Sequence, residues 1–377
     1  MTDVLQFETL TWPEVTALPR ELPLVLPLGA VGDMQNLVES LNRPEQLGLL
    51  PAIPYGWKGS ALEVPTPLLG AYCANLIEGL RQDGFTRPYV LAPSGLELGL
   101  GQINLAQEIG VGSSAPSDPN REKVVLIPVG QTEQHGHHLP LSTDTLIIEA
   151  IANATAAHAP EEALALPVMP YGVSTHRPSF AGTFNAGGRA FEDFYGAVVD
   201  AIIAQGYRHL YLMSGHGGNC SFLTTVVKYA GERHRRAFIA TAWLYLSGPA
   251  GIASLEQHRR SRIGGMGHAC ELETSILMHL RPDLVHMDRV VPETDFVTTP
   301  AYYMDWIEGG ALVANPPWDD DTRTGAYGDG SLATVENGRL WLEAAIAEKI
   351  DHVREILEQQ RRREERRNAG FGLWGAK

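Results

Sequence analysis

Val124-Val-Leu-Ile-Pro-Val-Gly-Gln-Thr-Glu-Gln-His-Gly-His-His-Leu-Pro-Leu-Ser-Thr-Asp144 decides how the chain is read. It begins with an apolar, partly β-branched run, the pattern of a buried strand. Pro128 and Gly130 then break the run into a loop dense in metal-binding side chains: Glu133, His135, His137, His138 and Asp144. Enzymes of the α/β class carry their chemistry on loops that leave buried strands. The stretch therefore predicts an α/β fold with a site at the carboxyl end of a central strand.

Downstream, Leu166–Gly172 reads as a strand with a sharp stop, and residues 191–204 read as a helix from their apolar spacing. Leu210–Gly215 reads as a strand entering a Gly-rich turn, followed by a helix over 221–232. Upstream, residues 10–18 start like a short helix with Thr11 as N-cap and Pro13 just inside. Leu22–Gly29, Pro51–Gly56 and Tyr89–Gly95 read as strands, and Leu69–Leu80 as a helix.

The two series repeat each other. Leu50-Pro-Ala-Ile-Pro-Tyr-Gly56 and Leu166-Pro-Val-Met-Pro-Tyr-Gly172 are identical at five of seven positions. Leu26-Pro-Leu-Gly29 parallels Ile127-Pro-Val-Gly130, and Ser94-Gly95 parallels Ser214-Gly215. We read an internal duplication. The first copy lacks the chemistry: Gly32 and Met34 stand where the second has Glu133 and His135, and Leu96 stands in place of His216. The expected organisation is a metal-free α/β repeat over 1–110, a linker over 111–121 rich in Gly, Ser and Pro, and a catalytic domain over 122–377.

A chain of 377 residues with 44% hydrophobic and 19% charged residues is ordinary globular material. The net charge of −15 argues against nucleic acid and against an anionic membrane surface. No apolar run reaches the ~18 residues that span a bilayer. The N-terminus has no basic region leading into an apolar one, so no secretory signal is expected. Cys73, Cys220 and Cys270 are far apart and odd in number. They read as buried thiols in a reducing cytoplasm rather than as a disulfide framework or a zinc site.

Three further segments supply polar candidates: Ser214-Gly-His-Gly-Gly-Asn219, His268-Ala-Cys-Glu-Leu-Glu-Thr-Ser275 at the start of a helix, and Ser174–Thr183 with His176. Imidazoles and carboxylates together suit Zn²⁺, Mn²⁺ or Fe²⁺. Two histidines and three carboxylates suffice for two ions ~3.5–4 Å apart that share one carboxylate and a water, lowering the water's pKa and polarising a carbonyl. The scattered His158, His209, His234, His258, His279, His286 and His352 read as ordinary surface or core residues.

Glu133-Gln-His-Gly-His-His-Leu-Pro-Leu-Ser-Thr-Asp144, Ser214–Asn219 and His268–Ser275 together resemble the creatininase family of metal-dependent hydrolases. Pro170-Tyr-Gly172, Gly182-Thr183 and Gly325–Gly338 agree with it. The resemblance covers about 122–357. It implies a three-layer αβα fold with a mainly parallel central sheet, two divalent metal ions and a homo-oligomer, often a hexamer. It also implies that Glu133, Asp144 and His216 hold one ion, that His135 and Asp144 hold the other, and that His268 is the general acid/base. Gly218 stands where creatininase proper has a metal-binding glutamate. Glu271 is the expected substitute, with Glu273 outside the first ring of ligands. Gly264 stands where a tryptophan closes the creatinine pocket, which implies a wider pocket. His137 replaces a usual proline. His138, His176, Gly217, Gly218, Asn219, Trp243 and Glu273 are the expected substrate-contacting or supporting residues.

The leading expectation is a two-metal hydrolase of a small polar, cyclic substrate, an amide or lactam or a cyclic ketone such as an inosose. The alternatives are a metal-dependent sugar isomerase or lyase, and a non-catalytic metal- or sugar-binding protein.

Overall fold

The computed structural model describes residues 2–107, 118–175, 179–307 and 309–371. Most of the linker and His176 lie outside them.

Two parallel sheets organise the chain. The first contains β1 (Asp3–Gln6), β2 (Leu24–Pro27), β3 (Gln46–Leu49), β4 (Pro88–Pro93) and β5 (Asn104–Gln107), in the order β1-β3-β2-β4-β5. Helices α1 (Trp12–Ala17), α2 (Met34–Ser40) and α3 (Thr66–Gln82) accompany it. The second contains β6 (Val124–Val129), β7 (Ala163–Ala165), β8 (His209–Ser214) and β9 (Phe238–Thr241), in the order β7-β6-β8-β9. Helices α4 (Thr143–His158), α5 (Gly188–Ala204), α6 (Cys220–Arg233), α7 (Pro249–His258), α8 (Glu271–Leu280) and α9 (Val335–Asn368) accompany the second sheet. A short antiparallel ribbon pairs β10 (Met266–His268) with β11 (Tyr327–Gly328).

Every residue of β6 is buried, because helices cover both faces of its sheet. Alternation along the strand divides it between two cores. Val124 and Leu126 join Ile147, Leu272 and Trp341 of α4, α8 and α9. Val125, Ile127 and Val129 join Phe191, Tyr195 and Val198 of α5. The second core continues into the first sheet through Leu24, Leu26 and, on α3, Tyr72 and Leu76. The two sheet units therefore share one core across α3 and α5. Among the described residues, no helix is long and apolar enough to cross a membrane.

The strands expected over 51–56 and 166–172 lie a few residues earlier, in β3 and β7. The prolines at 51, 54, 167 and 170 have no N–H for a ladder. Ile53 and Met169 each keep an isolated bridge to the central strand, donating to Pro27 at 2.9 Å and to Pro128 at 3.1 Å. The shift is the same in both units. Arg20 also lies 4.8 Å from the Phe85 ring, as Arg121 lies 4.5 Å from Tyr207.

The N-terminal unit grips the loop that carries Glu133 and His135. Leu10 and Glu8 carbonyls accept the amides of Leu141 and Ser142 at 2.8 and 3.1 Å. Thr11 caps α1, and the Glu14 carboxylate accepts both its amide and its hydroxyl. The Trp12 indole N–H donates to Thr324 at 2.7 Å, and its ring packs 5.3 Å from His137. The histidine that replaces a usual proline is thus a contact with the N-terminal unit.

Candidate functional site

The loop after β6 is shaped by its own polar side chains. Gln131 donates to Phe184 and accepts the amide of Gly172, both at 2.6 Å. Thr132 donates to Pro170 at 2.7 Å, and Gly136 turns the chain at φ +62°. These bonds aim Glu133 and His135 at the first turn of α4, which carries Asp144. The strand–turn that follows β8 brings His216 to the same point, and the first turn of α8 brings Glu273.

Glu133, His135, Asp144, His216, His268 and Glu273 are each at most 3% exposed. Three overlapping groups have ligand atoms within 4.8 Å of one another: Glu133/Asp144/His216, His135/Asp144/Glu273 and Glu133/His135/His268. Asp144 belongs to the first two. Its Oδ1 lies 3.1 Å from His135 Nε2 and its Oδ2 lies 3.2 Å from His216 Nδ1. Glu133 Oε1 lies 3.2 Å from His216 Nδ1.

Backbone carbonyls set the tautomers. His135 Nδ1 faces the Glu133 carbonyl at 3.1 Å, and His216 Nε2 faces the Val173 carbonyl at 3.1 Å. A carbonyl only accepts, so these nitrogens carry the protons. The opposite nitrogens, His135 Nε2 and His216 Nδ1, point at the carboxylates with lone pairs available to an ion once neutral. The chemistry of this donor set fits divalent ions.

Electrostatics agree with that fit. Burial pulls the pKa of each imidazole down, but the neighbouring carboxylates outweigh it. Asp144 and Glu273 hold His135 well above its ordinary value. Glu133 and Asp144 push His216 up to about 9. Burial would raise Asp144, and the two imidazoles instead hold it below its ordinary value. Without ions, protons supply the positive charge that such a carboxylate cluster requires.

His268 ends β10 beside the cluster. Its ring lies 4.1 Å from that of His135, and its Nδ1 lies 3.7 Å from Glu133 Oε1. Its Nε2 donates to the Gln134 carbonyl at 2.7 Å, which leaves Nδ1 on the cluster side. Gln134, unremarked in the sequence, is a brace: its amide also donates to Gly325 at 2.8 Å and accepts from Gly136 at 3.0 Å. Trp318 was missed too; its ring meets that of His268 edge-on at 6.0 Å. Neither lies in a run of ligands, so spacing alone gives no signal for them.

Glu271, expected among the ligands, faces away from the cluster. Its carboxylate accepts the amides of Arg260 at 2.9 and 3.0 Å and of Ser261 at 2.8 Å, away from the cluster. Glu273 takes the cluster position, 3.8 Å from His135. Two residues along a helix rotate a side chain by ~200°, so only one of the pair can face the site.

The other expected residues divide by burial. Gly217 and Gly218 are half-buried on the turn after His216. A Cβ at 218 would stand 2.2 Å from the Val173 carbonyl and 2.4 Å from His216 Nε2. A glutamate therefore has no room there, and α8 supplies the third carboxylate. Asn219 is fully buried and joins loops, accepting from Val173 at 2.8 Å and donating to Gly130 at 3.1 Å. His138 bonds Thr274 at 2.9 Å, and burial with its neighbouring histidines pushes it down to about 3. It is a neutral brace. Trp243 stands at the surface, outside the cluster.

The family model for creatininase (creatinine amidohydrolase) matches residues 114–353. The chain is 29% identical over 252 residues to the creatinine amidohydrolase of Pseudomonas putida, covering 62% of this chain and 89% of that protein. It is 30% identical over 269 residues to a mycofactocin precursor peptide peptidase of Mycobacterium tuberculosis, covering 68% and 95%. A 3-dehydro-scyllo-inosose hydrolase of Thermotoga maritima is 26% identical over 254 residues, covering 63% and 78%. Among solved structures, an E122Q mutant creatininase complexed with creatine superposes with a TM-score of 0.53 at 26% identity, covering 63% of this chain and 93% of that one. The match leaves the first unit outside it. With the buried cluster of carboxylates and imidazoles at its strand ends, this chain belongs to the creatininase family and is a metal-dependent hydrolase.

Proposed function

We propose that the protein hydrolyses an amide bond, linear or cyclic, of a small molecule. The observation that carries this reading is the buried cluster of Glu133, His135, Asp144, His216 and Glu273 with His268 against it. When bound, two divalent ions supply an acidified water and a polarised carbonyl. Glu133, Asp144 and His216 would hold one; His135, Asp144 and Glu273 would hold the other. Zn²⁺, Mn²⁺ or Fe²⁺ would suit the chemistry of these donors.

The chain's own groups do the rest. Asp144 gives one oxygen to each half of the site and keeps the halves together. Gln134 holds the His268 ring through its Nε2, so Nδ1 can take the water's proton and return it to the departing amine. Addition of water to the amide gives a carboxylic acid and an amine. Water enriched in ¹⁸O tests the reaction with metal-replete protein and a panel of cyclic and linear amides. The label is expected in the carboxylate of the product, and release of an unlabelled product sinks the reading. A cyclic ketone is the second reading, favoured by the similarity to the inosose hydrolase; the same panel with an inosose separates it.

We further propose that residues 1–110 are a metal-free repeat of the catalytic unit. The β3-β2-β4-β5 and β7-β6-β8-β9 orders, the paired Ile53 and Met169 bridges and the two arginine–aromatic contacts support it. Three buried, free cysteines support a reducing, cytoplasmic setting. Homo-oligomeric assembly is part of the same proposal, to be read by light scattering.

A further inference from the structure

Beside the site lies a chamber of about 460 Å³ whose chemistry differs from that of the metal cluster. Trp306, Trp318 and Tyr327 form its buried floor; Trp243 and Leu312 stand at its edge. The indole N–H of Trp306 donates to Tyr245 at 3.0 Å, and that of Trp318 donates to Gly325 at 2.9 Å. Both rings therefore offer apolar surface to the chamber. The one buried carboxylate on its wall, Asp305, is taken by a two-pronged bond from Arg259 at 2.9 Å. At the edge, Asn315 is engaged with Thr175 at 3.0 Å. Trp243 is 56%, Leu312 61% and Val313 96% exposed, so the approach is apolar as well.

The chamber and the cluster share a wall. Trp318 lines the chamber and meets the His268 ring at 6.0 Å. Tyr327 lines it too, and pairs with His268 across the β10–β11 ribbon. A group seated in the chamber is one aromatic ring away from the general acid/base. Small polar rings leave such a volume unfilled and its aromatic faces wet.

We propose that this chamber is the specificity subsite. It takes a bulky aromatic or aliphatic side chain next to the scissile bond, which makes the substrate an amide or peptide carrying such a side chain. This rests on the amide reading above. The polar carbonyl and nitrogen go to the cluster, and the apolar side chain goes behind Trp318. The partly exposed Trp243 and Leu312 guide it in.

The test compares N-acetyl-phenylalaninamide with N-acetylglycinamide on the metal-loaded and the metal-stripped full-length protein. Calorimetry reads binding, and product analysis reads hydrolysis. The phenyl probe is expected to bind at least ~10-fold tighter in both forms, as burial of an aromatic ring dictates, with a similar advantage in kcat/KM. Trp243→Ala and Leu312→Asp, both near the surface, are each expected to reduce that advantage several-fold. Equal binding of the two probes, or an advantage that neither variant touches, overturns the proposal. Absent binding with a changed oligomeric state in Leu312→Asp also overturns it, and makes the chamber a contact between copies. Tight phenyl binding without hydrolysis of either amide keeps the subsite and removes the amide reading. Equal hydrolysis of both amides does the reverse.

Discussion

Glu273 Oε1 stands 3.8 Å from His135 Nε2, and Glu273 Oε2 accepts the amide of Ala269 at 2.5 Å. One carboxylate therefore links the cluster to the turn that carries His268. Ala269 holds φ at +49°, a region that costs a non-glycine residue ~1–2 kcal/mol. The Glu273 bond helps keep it there.

Glu273→Gln is expected to weaken metal binding by roughly 10–100-fold, since a neutral amide replaces an anionic carboxylate. Glu271→Ala is expected to retain the metal and to lose about 2–3 kcal/mol of stability, because two backbone amides lose a charged acceptor. Metal analysis after dialysis and urea melts of both variants check this pair. Full metal in Glu273→Gln with loss in Glu271→Ala would reverse the assignment.

His268→Ala is expected to keep its metal and to lose about 10²–10⁴ in kcat, the range for a removed general acid/base. Turnover and metal content are measured on the same sample. Near-normal turnover would take His268 out of the mechanism.

Metal uptake is expected to release protons. His135 is held well above its ordinary pKa and His216 at about 9, so both carry protons at pH 7 in the metal-free protein. Ligation requires both to be neutral. Calorimetric titration with Zn²⁺ in buffers of different ionisation heat should show about two protons released at pH 7. The release should decline as pH rises past 9. No release at pH 7 would refute the protonated resting cluster.

Asp83 ties the N-terminal unit to the site by accepting the Gly182 amide at 2.8 Å. Burial raises its pKa from 3.8 to about 6, against the lowering effects of that amide and of Arg20. Between those values the folded chain holds a proton that the unfolded chain has lost. The stabilisation is therefore present below about pH 4 and is lost as pH rises through about 6. Asp83→Asn keeps the acceptor without the charge. It should be more stable than the parent at pH 7 by about 1–3 kcal/mol, with the gap closing at pH 4. Urea melts at the two pH values decide; a constant gap is the adverse result.

Gly218→Glu, which would restore a carboxylate at the usual creatininase position, is expected to lose both stability and metal. Its Cβ alone overlaps Val173 and His216. A gain in metal affinity would show that the turn has room to adapt.

Residue types and spacing located the central strand and its polar loop, and the family resemblance supplied the fold and the roles. The run Val124–Val129 reads as a buried strand and Glu133, His135 and Asp144 as members of the loop that follows it; that Asp144 rides on the first turn of α4 is visible only in the folded chain. The repeated Pro-Tyr-Gly segments are the sequence signal behind the proposed duplication. Strand limits were less legible, because the prolines of 51–54 and 167–170 fit an extended chain yet cannot fill a ladder. The choice between Glu271 and Glu273 was decided by the rotation of α8, set by its packing on α9 and by the amides of Arg260 and Ser261. Trp12, Gln134 and Trp318 gained their places only when segments up to 312 residues apart were brought together. Local pattern determines which element a side chain rides on. Which neighbour it faces depends on contacts between elements, and those exist only in the folded chain.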